Sequence, residues 1–259
     1  MKIAMIGAGN LATQLGQALL RAGHDILQVY SRTMDAANQL AQRIGGAPVT
    51  DTNLLVYDAD AYIFAVRDDA LVELIPKVCH GREQRVFLHT AGSVAMDVFQ
   101  GMALHYGVLY PLQTFSKTRN VDFTNIPCFI ESNDDFARQT TAHLAHSVSQ
   151  NVRTLSSEQR KYVHLAAVWA CNFVNHCYDV AEQVLQRQHI PFDVLLPLID
   201  ETAQKVHELQ PGKAQTGPAI RYDENIIREQ AQLMKQNPLE KDLYERLSVS
   251  IHQSNKFRL

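Results

Sequence analysis

The stretch KIAMIGAGNLATQLGQALLRAGH, residues 2–24, limits what this chain can fold into more than any other part of it. A short apolar run, IAMIG, leads into a glycine turn, and the turn opens an Ala- and Leu-rich helical pattern. GAGNLA places Gly7, Gly9 and Ala12 in a G-x-G-x-x-G/A arrangement. Gly7 permits the tight turn, Gly9 lets the backbone approach a pyrophosphate, and Ala12 keeps helix close to strand. The N–H groups of Asn10 and Leu11 then offer donors and a partial positive charge to phosphates. Many strands end in glycine turns. The apolar strand before this one and the helix after it supply the context that a dinucleotide site requires.

The alternation continues. IAMIG, DILQVYS, AYIFAV, RVFLHT, GVLYPL, IPCFIE and NVRTL read as strands. Helical patterns are predicted at 10–22, 33–43, 51–57, 69–79 and 134–149. Strands alternating with helices predict a doubly wound, parallel α/β sheet. After about residue 155 the strand signals stop. One long helix is predicted over 157–189 and another over 191–209. QPGKAQTGP reads as a turn-rich connection, followed by helices at 221–236 and 238–256. The expected organisation is an N-terminal dinucleotide-binding domain, 1–155, and an all-helical C-terminal domain, 156–259.

Composition excludes some partners. The net charge of −3 supplies no basic field for nucleic acid or an anionic membrane. No apolar run approaches the ~20 residues that span a bilayer. Met1-Lys2 leads straight into the first strand, so no secretory leader is expected and the chain reads as cytoplasmic. Cys79, Cys128, Cys171 and Cys177 form no C-x-x-C pair. They are expected to be small buried hydrophobes, with no disulfide and no metal site.

The second strand decides between dinucleotides. An NAD site commonly ends that strand in Asp or Glu, which grips the ribose 2′-OH. This chain has Ser31, Arg32 and Thr33 instead. A guanidinium beside two hydroxyls suits a 2′-phosphate, so the expected cofactor is NADP. The alternative is a solvated Arg32 with a helix cap at Ser31 or Thr33.

Ligands in such sheets lie beyond the carboxyl ends of the strands. FAVRDD puts Val66, Arg67 and Asp68 at one such end, with Asp68 and Asp69 read chiefly as helix-capping acids. HTAGS puts His89 and Ser93 in a small loop where a carboxamide or substrate could dock. YPLQTFSK carries Gln113, Thr114, Ser116 and Lys117, which face either a cleft or solvent.

The predicted long helix carries a polar stripe. At about 100° per residue, Lys161, His164, Asn172, Asn175 and Asp179 fall within roughly an 80° arc. It is narrow and holds amides and a histidine, unlike a Lys/Glu-rich solvated face. It suits a substrate cleft, or a seam of satisfied polar contacts between helices or subunits. In the cleft reading His164 is the proton donor, because an imidazole exchanges protons near neutral pH. Lys161 competes for that role, while Asn172 and Ser93 position substrate.

With these pieces placed, IGAGNLA, SRT, HTAGS, YPLQTFS, HLAAVWACNF and TGPAIRYD resemble a known family. It is the family of Rossmann-like NADP oxidoreductases whose C-terminal half is a domain of unknown function. These are similar to pyrroline-5-carboxylate reductases and β-hydroxyacid dehydrogenases. The resemblance implies an NADP-binding Rossmann domain and a cleft between the domains near the long helix. It also implies a homodimer built through the C-terminal helices. Two departures limit it. The dehydrogenases carry a catalytic Lys with Asn one turn later, whereas here Leu165 follows Lys161 and Val168 follows His164 at that spacing. The reductase SPGGTT signature is absent, and QTGPAIRYD stands in a comparable place, offering Thr216, Arg221 and Asp223 as ligand contacts. The expected function is NADP-dependent hydride transfer to or from a small carbonyl or imine in that cleft. The alternatives are a non-catalytic NADP-binding sensor or regulator, and a Rossmann domain for another ligand such as S-adenosylmethionine.

Overall fold

The computed structural model describes residues 1–256. It divides into two compact units, Met1–Cys171 and Asn172–Leu259.

The first unit is built on β1 (Lys2–Ile6), β2 (Asp25–Tyr30), β3 (Ala47–Val49) and β4 (Ala61–Phe64). It continues through β5 (Val86–His89), β6 (His105–Pro111), β7 (Cys128–Ser132) and β8 (Val152–Thr154). Their spatial order is β3-β2-β1-β4-β5-β6-β7-β8. Every neighbouring pair is parallel except β6 and β7, where Leu109 lies opposite Ile130 in an antiparallel ladder. Between the strands run α1 (Asn10–Arg21), α2 (Met34–Ile44), α3 (Asp68–Cys79) and α4 (Asp135–Val148), with α5 (Ser157–Ala167) after β8.

Successive strand residues point to opposite faces, and here both faces are covered. Ile3 and Met5 pack with Leu15 and Leu19 of α1 and Leu144 of α4. Ala4 and Ile6 turn the other way, into a cluster with Tyr62, Phe64, Phe87 and Leu71 of α3. Burial on both sides explains why IAMI and AYIF read as continuous apolar runs rather than alternating ones.

The sheet matches the expected α/β class, with three local differences. It is mixed rather than wholly parallel, because β7 runs antiparallel to β6. Residues 51–57 were predicted helical, but only Thr52–Leu54 coil, as a 3₁₀ turn capped by the Asp51 side chain. β3 has no counterpart among the predicted strands. It holds three residues, and Pro48 within it lacks an N–H. A proline is tolerated there because β3 lies at the edge of the sheet.

The predicted helix 157–189 is not one α-helix. After α5 comes a π-helical segment, Val168–Phe173, and then α6 (Val174–Gln186). An i→i+5 segment places an extra residue in its turn. The 100° count that aligned Asn172, Asn175 and Asp179 with Lys161 and His164 therefore does not carry through it.

The second unit contains α6, α7 (Leu196–Glu208), α8 (Pro211–Ala214), α9 (Pro218–Arg221), α10 (Glu224–Leu233) and α11 (Pro238–Lys256). Among its described residues there is no strand. The connection predicted as turns holds the short helices α8 and α9. Tyr222 closes α9 in the left-handed conformation, and its ring stacks on His252 of α11 at 4.7 Å. Cys79 and Cys128 are buried as expected, which pushes their thiols up to about 12 and about 11. Cys171 and Cys177 are exposed, which corrects the expectation for those two. Among the described residues no cluster suits a metal ion, and no helix is long and apolar enough to cross a membrane.

Candidate active site

The chain reverses its direction of winding at β1, which has β2 on one side and β4 on the other. That switch point is where an open α/β sheet holds its ligand. The glycine turn sits there, at the carboxyl end of β1. Gly7 has φ +116°, and a Cβ on it would lie 2.3 Å from the carbonyl oxygen of Ala65. Only glycine fits. At Gly9 a Cβ would meet nothing within 4 Å. Gly9 also caps α1 with no side-chain hydrogen bond, and the first turn holds no acidic residue. The free N–H groups of Asn10, Leu11 and Ala12 and the positive end of the helix are therefore unneutralised, with open space before them. That arrangement fits a pyrophosphate.

At the end of β2, Thr33 caps α2, accepting from the Ala36 N–H at 3.4 Å. Arg32 is exposed and forms no ion pair among the described residues. Ser31 is half-buried beside it. One of the three predicted cofactor residues thus serves as a helix cap, while the guanidinium remains available.

A second group assembles beyond β5 and β6. Gly92 lies in the loop after β5, Tyr110 on β6 and His164 on α5. The Tyr110 hydroxyl stands 3.0 Å from His164 Nδ1. A Cβ on Gly92 would lie 2.5 Å from that nitrogen and 2.9 Å from the Tyr110 ring. Gly92 is therefore the floor on which the pair rests. Burial pushes the Tyr110 phenol up, and the positive charge of Arg160 partly opposes this. A phenol kept un-ionised can donate to Nδ1, the arrangement in which the imidazole proton sits on Nε2.

Arg160 lies one turn before His164 and is only 1% exposed. Its Nη1 donates to Glu131 Oε2 of β7 at 2.5 Å, and its Nη2 to the Val94 carbonyl at 2.5 Å. Glu131 also accepts from the Ser157 N–H and hydroxyl, both at 2.7 Å. The Met96 N–H donates to Ser157 Oγ at 2.9 Å. These bonds seat the first turn of α5 on the sheet and on the loop that carries Gly92. Sequence reasoning singled out neither this network nor Tyr110's role. Arg160 stands among the polar residues that open α5, and nothing in that run sets it apart or identifies its partner.

Other predicted residues lie elsewhere. The His89 imidazole is 0% exposed, with Nδ1 accepting from the Ala91 N–H at 3.1 Å and the ring stacked on Phe99. Burial, helped by Arg160, pushes its pKa down to about 3. The side chain is therefore a neutral core group, closed to a bound ligand, which corrects the expected His89 contact. Ser93 donates its hydroxyl to the Asp68 carboxylate. Val66 is half-buried beside Gly7. Arg67 is exposed and pairs with Asp69 at 2.8 Å. Lys161 is exposed, with Glu158 3.9 Å away. The Ser116 carbonyl accepts from Gln14 of α1 at 2.7 Å, and that of Lys117 from Arg43 of α2 at 3.0 Å, so this stretch folds back over the helices. Gln113 and Thr114 are exposed. In the second unit Asn172, Asn175, Asp179, Thr216 and Arg221 are exposed, and Asp223 caps α10.

Residues 2–90 match a family model described as NADP oxidoreductase, coenzyme F420-dependent. Residues 126–251 match one described as a domain of unknown function, DUF2520. No curated protein matches. Among solved structures, a Bacteroides fragilis protein named as a putative NADP oxidoreductase is 50% identical, with TM-score 0.94 over 97% of this chain and 98% of that one. An imine reductase from Myxococcus stipitatus, in complex with NADP+, has TM-score 0.69 at 12% identity, covering 99% and 94% of the two chains. A reductive aminase from Aspergillus terreus, in complex with NADPH and ethyl-5-oxohexanoate, has TM-score 0.73 at 12% identity, covering 98% and 93%. The last two share the fold. With half of its residues identical to the Bacteroides protein over nearly full length, the chain belongs to the family of Rossmann-type NADP oxidoreductases that carry this C-terminal domain of unknown function.

Proposed function

We propose that the protein is an NADP-dependent oxidoreductase that transfers hydride to or from a small carbonyl or imine, with His164 as proton donor. The observation that carries this reading is the Tyr110–His164 hydrogen bond, seated on Gly92 beyond the carboxyl end of β5. Gly7, Gly9 and the N–H groups of Asn10 and Leu11 would hold the pyrophosphate, and Arg32 with Ser31 the 2′-phosphate. The bound dinucleotide supplies the hydride chemistry. The chain's own work is orientation and proton supply. As an imidazolium, His164 gives its Nε2 proton to the substrate oxygen or nitrogen and is left neutral, its ring still held by the Tyr110 hydroxyl, and water restores the proton. Imines stand beside carbonyls because the fold is shared with an imine reductase and a reductive aminase.

The second unit exposes large apolar side chains such as Leu233 at 76%, Leu239 at 69% and Leu198 at 62%. Apolar surface on that scale marks association. We propose that two copies pair through these helices.

The test measures NADPH, NADH and S-adenosylmethionine binding by calorimetry, then NADPH oxidation over a panel of keto acids and imines. The expected result is preferential NADPH binding, with turnover on at least one substrate class that His164→Ala lowers by about 10²–10⁴-fold. Tight NADPH binding with no turnover on any class would favour a sensor. Unchanged turnover in His164→Ala would remove His164 from the chemistry.

A further inference from the structure

A proton donor is only as good as its placement, and His164 sits on a helix whose neighbours must all be held. Three elements meet around its ring: α5 itself, β6 through Tyr110, and the loop after β5 through Gly92. Nothing in the Tyr110–His164 bond fixes the helix to the loop. Arg160 does. One guanidinium nitrogen reaches Glu131 on β7 and the other the carbonyl of Val94, two residues beyond Gly92. Ser157, one turn earlier, bonds the same carboxylate and receives the Met96 N–H from the same loop. Helix, strand and loop are thus tied at one buried point, one helical turn from His164.

We propose that Arg160 and Glu131 are positioning residues: a buried latch that clamps the Gly92 loop and α5 together, so that Tyr110 pairs with His164 Nδ1 and the ring proton stays on Nε2. This rests on the reading of His164 as the proton donor. The latch is more than an anchor for stability. The chain spends a buried charge pair where apolar residues of similar size would commonly hold at least as well. A guanidinium fork reaches two acceptors in fixed directions, which an apolar contact cannot do.

The test is a ¹⁵N-histidine NMR spectrum of the full chain without cofactor, at about pH 8, above the ordinary imidazole range. His164 is identified as the signal missing from His164→Asn, and Tyr110→Phe supplies the signature of the unpaired ring. The wild type is expected to show a protonated Nε2 and a hydrogen-bonded Nδ1. Glu131→Gln and Arg160→Lys are expected to move the His164 signals toward those of Tyr110→Phe, with circular dichroism unchanged. Folded variants that keep the wild-type signature would overturn the latch. So would a wild-type spectrum identical to that of Tyr110→Phe. If Arg160→Lys does not fold, Glu131→Gln decides alone. Because no cofactor is present, absence of NADPH turnover would sink the proposed function and leave this result standing.

Discussion

Two glycines of the site have opposite surroundings, and substituting each tests a different half of it. Gly9 looks into open space, so Gly9→Ala should leave the fold intact and intrude where the pyrophosphate would lie. NADPH affinity should fall roughly tenfold or more, about 1.4 kcal/mol, at unchanged melting temperature. Calorimetry beside a thermal melt checks both. Unchanged affinity would mean that phosphates do not approach this turn. Gly92 is packed against His164 and Tyr110. Gly92→Ala should push the ring off its partner and lower turnover by roughly a hundredfold, as displacement of about 1 Å does. NADPH affinity should be retained. Wild-type turnover in that variant would show that the loop does not seat the pair.

Helix α5 places His164, and its start is over-determined. Ser156 and Gln159 form a reciprocal capping box, and the Glu131–Arg160 pair holds the next turn. Ser156→Ala should cost about 1 kcal/mol, seen as a drop in melting temperature of about 2–4 °C. Ser156→Asp should recover most of it, and a melt that ignores both would discount the cap. The start of α5 and most of the strands were legible because their signals are local. Caps, glycine turns and runs of Val, Ile and Phe are written in consecutive residues. The π-helical segment was not legible, because VWACNF carries no residue that demands i→i+5 bonding. The stripe counted at 100° per residue therefore does not align Asn172 with His164. The role of Tyr110 is not legible in YPLQTFSK, because its partner His164 is far along the chain and reaches it only through sheet order. His89 was misplaced for a related reason. A histidine ending a strand looks like a ligand contact until Phe99 is seen to cover it.

At the scale of the molecule, two buried histidines set an acid limit. His24 is lowered by burial and His89 is held at about 3, whereas both titrate near 6.5 when unfolded. Below about pH 6.5 the unfolded chain binds more protons than the folded one. Stability contributed by these neutral rings is thus present above pH 6.5 and lost as pH falls below it, in the case of His89 down toward 3 and by up to about 1.4 kcal/mol per pH unit. Urea midpoints at pH 7 and pH 5 should differ accordingly, and His89→Asn should flatten the dependence. Equal midpoints would contradict the burial of both rings. Association is read at the same scale: sedimentation should show a dimer, and a monomer at every concentration would refute pairing.

The two rims of the sheet bear on how copies could meet. β3 and β8 are the outermost strands, each three residues long, and β3 contains Pro48. Short rims, one of them bearing a proline, give an incoming strand almost no template for hydrogen-bonded growth. The architecture is thereby biased against strand-by-strand polymerisation. A concentrated preparation should resist amyloid-like fibre formation even though its central strands are among the most apolar segments of the chain.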